Sequence, residues 1–300
     1  MPTLKEYRQA IADELKSFAE GTATSGSTPS MLECAAWPIK SAIDRADEYK
    51  DRYLLRPEAV AAADRVRLVK DYDPANGHLT PDLVWANSPY ADGEGEPFEL
   101  HGIVEPYTEM RKIINRVLKY CPLVVEFTGT PTADKTRHAL TTAAPWLKKP
   151  AQVRQVGYLA SGEDRNKVNP FDRIVRGVTA IDGNTVILDH PTHTFAATET
   201  LYVLAVKPAY FHCRASGGAW GEQSGLALDT DEAMPTEEWV TAGALIEVWR
   251  QYGHLLEQQA NTRLIRDRAE AAAWFESETY DNVPVPAMTF RPHYAWGPTR

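Results

Sequence analysis
Apolar positions along the first twenty residues fall into one stripe. Leu4, Tyr7, Ile11, Leu15 and Phe18 recur at spacings of three and four, which predicts an amphipathic helix over residues 1–20. Thr3 and Glu6 have capping-box spacing at its start, and Gly21 is expected to end it. The small polar run "GTATSGSTPS" (21–30) reads as a flexible connection. From residue 31 the period changes. "DRVRLVKDYDPANGHLTPDLVW" (64–85) predicts two strands around a turn at Asp73–Gly77, the second ending on an indole. About a hundred residues later "DRIVRGVTAIDGNTVILDH" predicts another hairpin, with a tighter Asp182-Gly183-Asn184 turn. Further strand-like runs follow each hairpin, "FELHGIVEP" and "TLYVLAVKP", both closing in Val-x-Pro. The stretch from Cys34 to Arg65 is ambiguous between helix and strand.

Between the hairpins, Met110, Ile113, Ile114, Val117 and Leu118 mark a second amphipathic helix over 107–121, broken by Pro122. "LVVEFTGT" follows as a short strand. A third helix is predicted to start near Thr236, where Glu237 and Glu238 suit the helix dipole, and to run toward Ser277. Ala242, Leu245, Trp249, Tyr252 and Leu256 form its apolar seam, roughly extended by Ala260, Leu264 and Phe275, with Gly253 as a weak point. Unbroken, it would be about 60 Å long. A helix of that length needs another helix or another subunit to pack on. The last residues are prolines interleaved with Phe290, Tyr294 and Trp296, which predicts an extended segment. A tail that carries exposed aromatics gains from docking.

The fold class is therefore α+β: small β-rich modules, amphipathic helices, a long C-terminal helix and an extended C-terminal tail. The expected organisation is an N-terminal helix (1–20), a first β-unit plus helix (31–122), a second β-unit (123–213), the long helix (236–278) and a docking tail (281–300).

Composition alters this picture only slightly. The chain has 300 residues, 43% hydrophobic and 24% charged, ample for a buried core. No apolar run approaches the roughly 18 residues of a membrane span, and no signal-peptide pattern opens the chain. Three scattered cysteines, Cys34, Cys121 and Cys213, indicate reduced, buried structural thiols and folding in a cytoplasm. A net charge of −9 argues against a reader of nucleic-acid sequence, but suits a surface that DNA slides past.

No catalytic constellation emerges. His190 and His193 have H-x-x-H spacing, but Pro191 opposes presentation on a helix and no third ligand converges. His212-Cys213 has no local sequence of a nucleophile and base. Asp92, Glu94 and Glu96 lie in one loop and Asp229, Asp231 and Glu232 in another, where carboxylates are usually solvated surface. Neither glycine-rich run has the context of a phosphate loop, and Lys148-Lys149 is too small to anchor nucleic acid. Trp37, Trp85, Trp146 and Trp220 are read as core or interface packing rather than a ligand-stacking platform. The expectation is a non-enzymatic protein without cofactor or metal.

The order of parts carries a resemblance. The hairpin "DYDPANGHLTPDLVWANSP", then "FELHGIVEPYTEMRKIINRVLKY", the second unit and the long helix together resemble the head-to-tail connector (adaptor or neck) proteins of tailed bacteriophages over residues 60–275. The resemblance implies a structural virion protein, a homo-oligomeric ring of typically twelve copies between the portal protein and a downstream tail or stopper protein. It would assemble in the host cytoplasm and let DNA pass non-specifically during genome ejection, with no membrane partner. It also implies a C-terminal segment that inserts into the portal. Phe290, Arg291, Tyr294 and Trp296 are the candidate docking residues, and Leu245, Trp249, Tyr252 and Leu256 the candidate assembly seam. The alternatives are a minor tail, baseplate or capsid-decoration protein, and behind these a carbohydrate-binding module or a hydrolase with a carboxylate pair.

Overall fold
The apolar spacing of residues 4–11 buries Leu4, Tyr7 and Ile11 on one face of α1 (Leu4–Glu14). The capping box forms as expected: the Thr3 hydroxyl accepts from the Glu6 amide, and the Glu6 carboxylate accepts from the Thr3 amide at 2.7 Å. The computed structural model describes residues 1–258 except 16–17, 35–48, 60–61, 74, 103, 133–135, 142–143, 174, 176, 190–192 and 197. It has both strands and helices, a mixed α+β fold, and divides into two units. The first comprises residues 1–117, 215–217 and 226–276, and the second 118–214, 218–225 and 277–300.

α1 is shorter than its sequence predicts. It ends at the Leu15 cap, and Ala19–Thr22 is already a strand, β1, in register with a later strand. The segment read as a flexible connection is also held in place. The Ser27 hydroxyl accepts from the Glu33 amide at 3.0 Å and donates to its carbonyl at 3.2 Å, and the Thr24 hydroxyl donates to the Glu33 carboxylate at 2.6 Å. Short hydroxyl side chains bond nearby backbone readily, so a polar run can be fixed by its own chemistry.

The first unit's remaining strands are β2 (Leu32–Glu33), β3 (Tyr53–Leu55), β4 (Val66–Asp73), β5 (His78–Pro81), β6 (Tyr90–Ala91), β7 (Glu94–Gly95) and β8 (Pro97–His101). Six form an antiparallel sheet in the order β1-β8-β3-β4-β5-β2. The Thr24 amide bonds the Glu33 carbonyl at 2.9 Å, so the sheet curls until its two edge strands meet. Leu32, Leu54, Val69, Tyr72, Leu79, Trp85, Phe98 and Leu100 fill its interior. The β4–β5 turn is the one the sequence predicts: Asp73 accepts from the Ala75 amide and the Asn76 side chain, and Gly77 takes φ 68°. The acidic loop at 88–97 contains a small hairpin, β6–β7.

Helix α2 (Glu109–Tyr120) buries the expected stripe, and the boundary between the units falls in its last turn. Within the first unit the Asn115 side chain brackets Leu226, donating to its carbonyl at 2.9 Å and accepting from its amide at 2.7 Å. Arg116 pairs with Glu247 on α3 (Glu237–Gln258). α1 also packs on α3, and the Tyr7 hydroxyl donates to the Pro235 carbonyl just before it at 2.6 Å. The helix therefore starts where the sequence places it. Its predicted course beyond Gln258, with Ala260, Leu264 and Phe275, lies outside the described residues.

The second unit is also a curled antiparallel sheet. Its strands are β9 (Pro122–Thr130), β10 (Arg137–Leu140), β11 (Val153–Leu159), β12 (Val178–Asp182), β13 (Thr185–Leu188) and β14 (Thr200–Pro208), in the order β11-β14-β9-β10-β13-β12. A bridge from Val175 to Val156 leads the edge at β12 back to β11. β9 and β14 pair from Leu201↔Gly129 to Pro208↔Pro122, so two prolines, which cannot donate to a ladder, face each other at its end.

The two sequence-similar hairpins occupy equivalent places. Both sheets close, β1 toward β2 in the first unit and β12 toward β11 in the second, and round the closed sheets β1-β8-β3-β4-β5-β2 matches β9-β14-β11-β12-β13-β10 strand for strand in chain order. The β4–β5 and β12–β13 hairpins therefore correspond, as a tandem copy would require. A different constraint acts on β11. A Cβ at Gly157 would stand 2.2 Å from the Pro170 carbonyl oxygen, whereas one at Gly177 would meet nothing within 4 Å. Gly157→Ala is expected to cost about 3 kcal/mol by overpacking against backbone, with Gly177→Ala near neutral. Urea denaturation midpoints of the two variants check this.

Candidate docking surface
In the first unit, the chain leaves β5 at Pro81 and must turn before Trp85 enters the core. Hydrogen bonds fix both sides of that turn. The Asp82 amide donates to the Leu68 carbonyl at 2.8 Å, and its carboxylate accepts from the Leu68 amide at 3.1 Å. The Arg67 guanidinium donates to the Leu83 carbonyl at 3.2 Å. Beyond the turn, the Trp85 amide donates to the Pro29 carbonyl at 2.9 Å, and the Ala86 amide to the Asp64 carboxylate at 3.0 Å. The Trp85 ring is buried, with the Arg56 guanidinium 5.0 Å from its centroid. Arg56 is itself fixed by Glu96 at 2.7 Å and the Asn87 carbonyl at 3.1 Å.

Leu83 and Val84 are consequently held in solvent, 63% and 64% exposed. Fraying is not the cause, because backbone bonds on both sides hold the pair. Covering a Leu and a Val side chain is worth about 1.5–3 kcal/mol each, and a rigid pair loses little entropy on doing so.

The seam residues of α3 lie elsewhere. Leu245 and Trp249 are buried in the first unit, and Tyr252 is half-buried. Burial, and the nearby charge of Glu109, push the Tyr252 hydroxyl up from its ordinary range. The side chain of Leu256 and the candidate tail residues Phe290, Arg291, Tyr294 and Trp296 lie outside the described residues, as do Trp37 and His190.

Several carboxylates read as solvated surface have fixed partners. Glu96 holds Arg56, and Asp229 accepts from Arg8 at 2.6 Å. Asp231 is buried and accepts from the amides of Ala227 and Leu228. Loop position misled here, because Glu96 and Asp229 have tertiary donors that their neighbours in sequence do not reveal, and Asp231 folds its own loop back onto its carboxylate. Asp92 does sit exposed in the β6–β7 turn, with φ 54°.

In the second unit His193 bonds Glu199 at 2.9 Å and stacks on Tyr158 at 4.0 Å. His212 faces Lys207. Lys148 and Lys149 are exposed, and Trp146 is buried. All three cysteines are buried, and burial pushes the Cys121 thiol far up from its usual range. Among the described residues no group of three or more His, Cys, Asp or Glu side chains could hold a metal ion, and no helix is long and apolar enough to cross a membrane.

Sequence reasoning missed Leu83-Val84 and Lys207. A signal existed for each. Two consecutive aliphatic residues beside a buried tryptophan cannot all face one side of a strand. A lysine inside "LYVLAVKP" interrupts a run otherwise suited to burial. Comparison with protein-family models, curated proteins and solved structures finds no match for this chain.

Proposed function
We propose that this protein is a structural component of a tailed-phage neck, a ring of identical copies that joins the portal vertex to the tail. The observation that carries the reading is the pinned, exposed Leu83-Val84 pair, a rigid apolar contact of the kind a neighbouring subunit covers. The order of parts along the chain supports the same reading, as does a net charge of −9 on each copy, which would keep a DNA passage from adhering. Lateral contacts in such a ring are heterologous: Leu83-Val84 of one copy meets a different surface of the next, and rotation closes the ring.

Native mass spectrometry with particle imaging tests this on the full-length protein and on a version ending at Tyr280, each alone and mixed with portal protein. Rings of about twelve copies on the portal are expected. With the shortened chain, those rings should fail to attach. A threefold, fivefold or sixfold particle would move the protein to the tail, baseplate or capsid surface. A monomer indifferent to portal would overturn the proposal.

A further inference from the structure
One cluster in the second unit has chemistry that an assembly role does not use. Lys207, on β14, is only 7% exposed, and among the described residues it has no carboxylate partner. Its Nζ lies 3.2 Å from Nδ1 of His212 and 5.8 Å from the centroid of Trp146. His212 is 9% exposed and stacks on Trp220. Its Nδ1 faces the amine, so Nε2 carries the ring proton, and that nitrogen is buried with no hydrogen-bond partner.

A thin cover lies over the pair. Gly221 is exposed, takes φ 87° and donates its amide to the Cys213 carbonyl at 3.1 Å. A Cβ there would stand 3.1 Å from the Lys207 Nζ and 3.3 Å from the His212 Nδ1. An exposed glycine thus lies against the amine, and a side chain at 221 would crowd it.

We propose that Lys207 is a nucleophilic amine that condenses with small uncharged aldehydes, with His212 as its proton acceptor. A buried ammonium without a counter-ion is disfavoured, so the neutral, nucleophilic amine gains population. Burial brings Lys207 down to about 8. Burial, and then the charge of Lys207, hold His212 down to about 4, so its Nδ1 lone pair is free to accept at neutral pH. In the reaction the Nζ lone pair forms a C–N bond as the carbonyl π bond breaks. Both Nζ protons end on the carbonyl oxygen, carried in turn by His212 Nδ1, and that oxygen leaves as water. The product is an imine, and no oxidant or reductant is consumed. The indoles of Trp146, beside the amine, and Trp220, stacked on His212, make its surroundings apolar.

The test uses the full chain, benzaldehyde as probe and cyanoborohydride to trap the imine, with labelled lysines mapped by mass spectrometry between pH 6 and 10. Lys148 and Lys149, exposed in the same unit, are internal standards. At pH 8 Lys207 is expected to be trapped about tenfold faster than either, because its burial without a counter-ion favours the unprotonated, nucleophilic amine. His212→Gln is expected to slow Lys207 at least about threefold, a small part of the usual general-base effect, and leave the standards unchanged. Trapping of Lys207 no faster than Lys148 and Lys149 at every pH would overturn the proposal. An unaltered Lys207 rate in His212→Gln, in a variant of unchanged melting temperature, would overturn the role of His212.

Discussion

Replacing Arg8 by alanine is expected to destabilise the first unit by about 3–5 kcal/mol, a fall in melting temperature on the order of 10 °C. Arg8 is 1% exposed and donates to both oxygens of Glu99 at 3.1 Å, while its other arm reaches Asp229 at 2.6 Å. Glu99 also accepts from His101 at 2.9 Å and from Gln9 at 2.9 Å. Removing the guanidinium leaves a carboxylate buried without its main cation. That penalty, more than the lost attraction, sets the size of the effect. Substituting both partners, Arg8→Met with Glu99→Met, should recover over half of the loss because no orphaned charge remains. Scanning calorimetry of the two variants separates these terms.

Acid should act on the same cluster. Burial holds His101 below its ordinary value, so it is neutral at pH 7 and its contact with Glu99 is a hydrogen bond rather than an ion pair. The unfolded chain protonates this histidine first, so stability declines once the pH falls below about 6.5. For Glu99, burial opposes ionisation, but the His101 bond and the Arg8 charge outweigh it and hold the carboxyl below its ordinary range. Its contribution is full above about pH 4.3 and is lost as the pH falls through the folded value. Without Arg8 the Glu99 carboxyl rises, and the acid loss should begin at higher pH. A stability profile for Arg8→Ala that parallels the natural protein between pH 3 and 7 would contradict this account.

The second large effect concerns assembly. Leu83→Asp with Val84→Asp should weaken self-association or portal attachment about 100-fold or more, while the melting temperature of the subunit changes little. Both side chains already face water, so the folded monomer loses almost no buried contact. At an interface, each aspartate would put a charge where an apolar surface is desolvated. Sedimentation velocity over a concentration series reads the first effect and calorimetry the second. Unchanged association in the doubly substituted protein would remove this surface from the proposed interface.

Much of the local structure was legible because local forces decide it. The Thr3–Glu6 cap, the stripe on α2, the Asp73–Gly77 turn and the start of α3 each depend on residues within one or two turns of one another. α1 ended early for a nonlocal reason: Ala19–Thr22 pairs with β8, almost eighty residues on, and no periodicity in the first twenty residues encodes that partner. The candidate docking surface was only partly legible. Two adjacent aliphatics can be seen in the sequence, but their exposure depends on Trp85 entering a core that Leu32, Leu54, Leu79 and Phe98 complete from four other places in the chain.

Sequence by itself determined most element types, the turn chemistry and a mixed α+β fold, because side-chain period and capping are written over short stretches. Tertiary structure decided which strand lies beside which, and gave two hairpins that look alike the same place in two separately closed sheets. It also decided which charges are surface and which are anchors. Asp229 and Glu99 look like ordinary carboxylates until folding delivers Arg8 from the first helix. Lys207 looks like an ordinary lysine until β14, the turn at His212 and the backbone of Gly221 close around it. The physical reason is common to these cases. Burial and charge pairing depend on groups far apart in sequence, and desolvation acts only once the chain has brought them together.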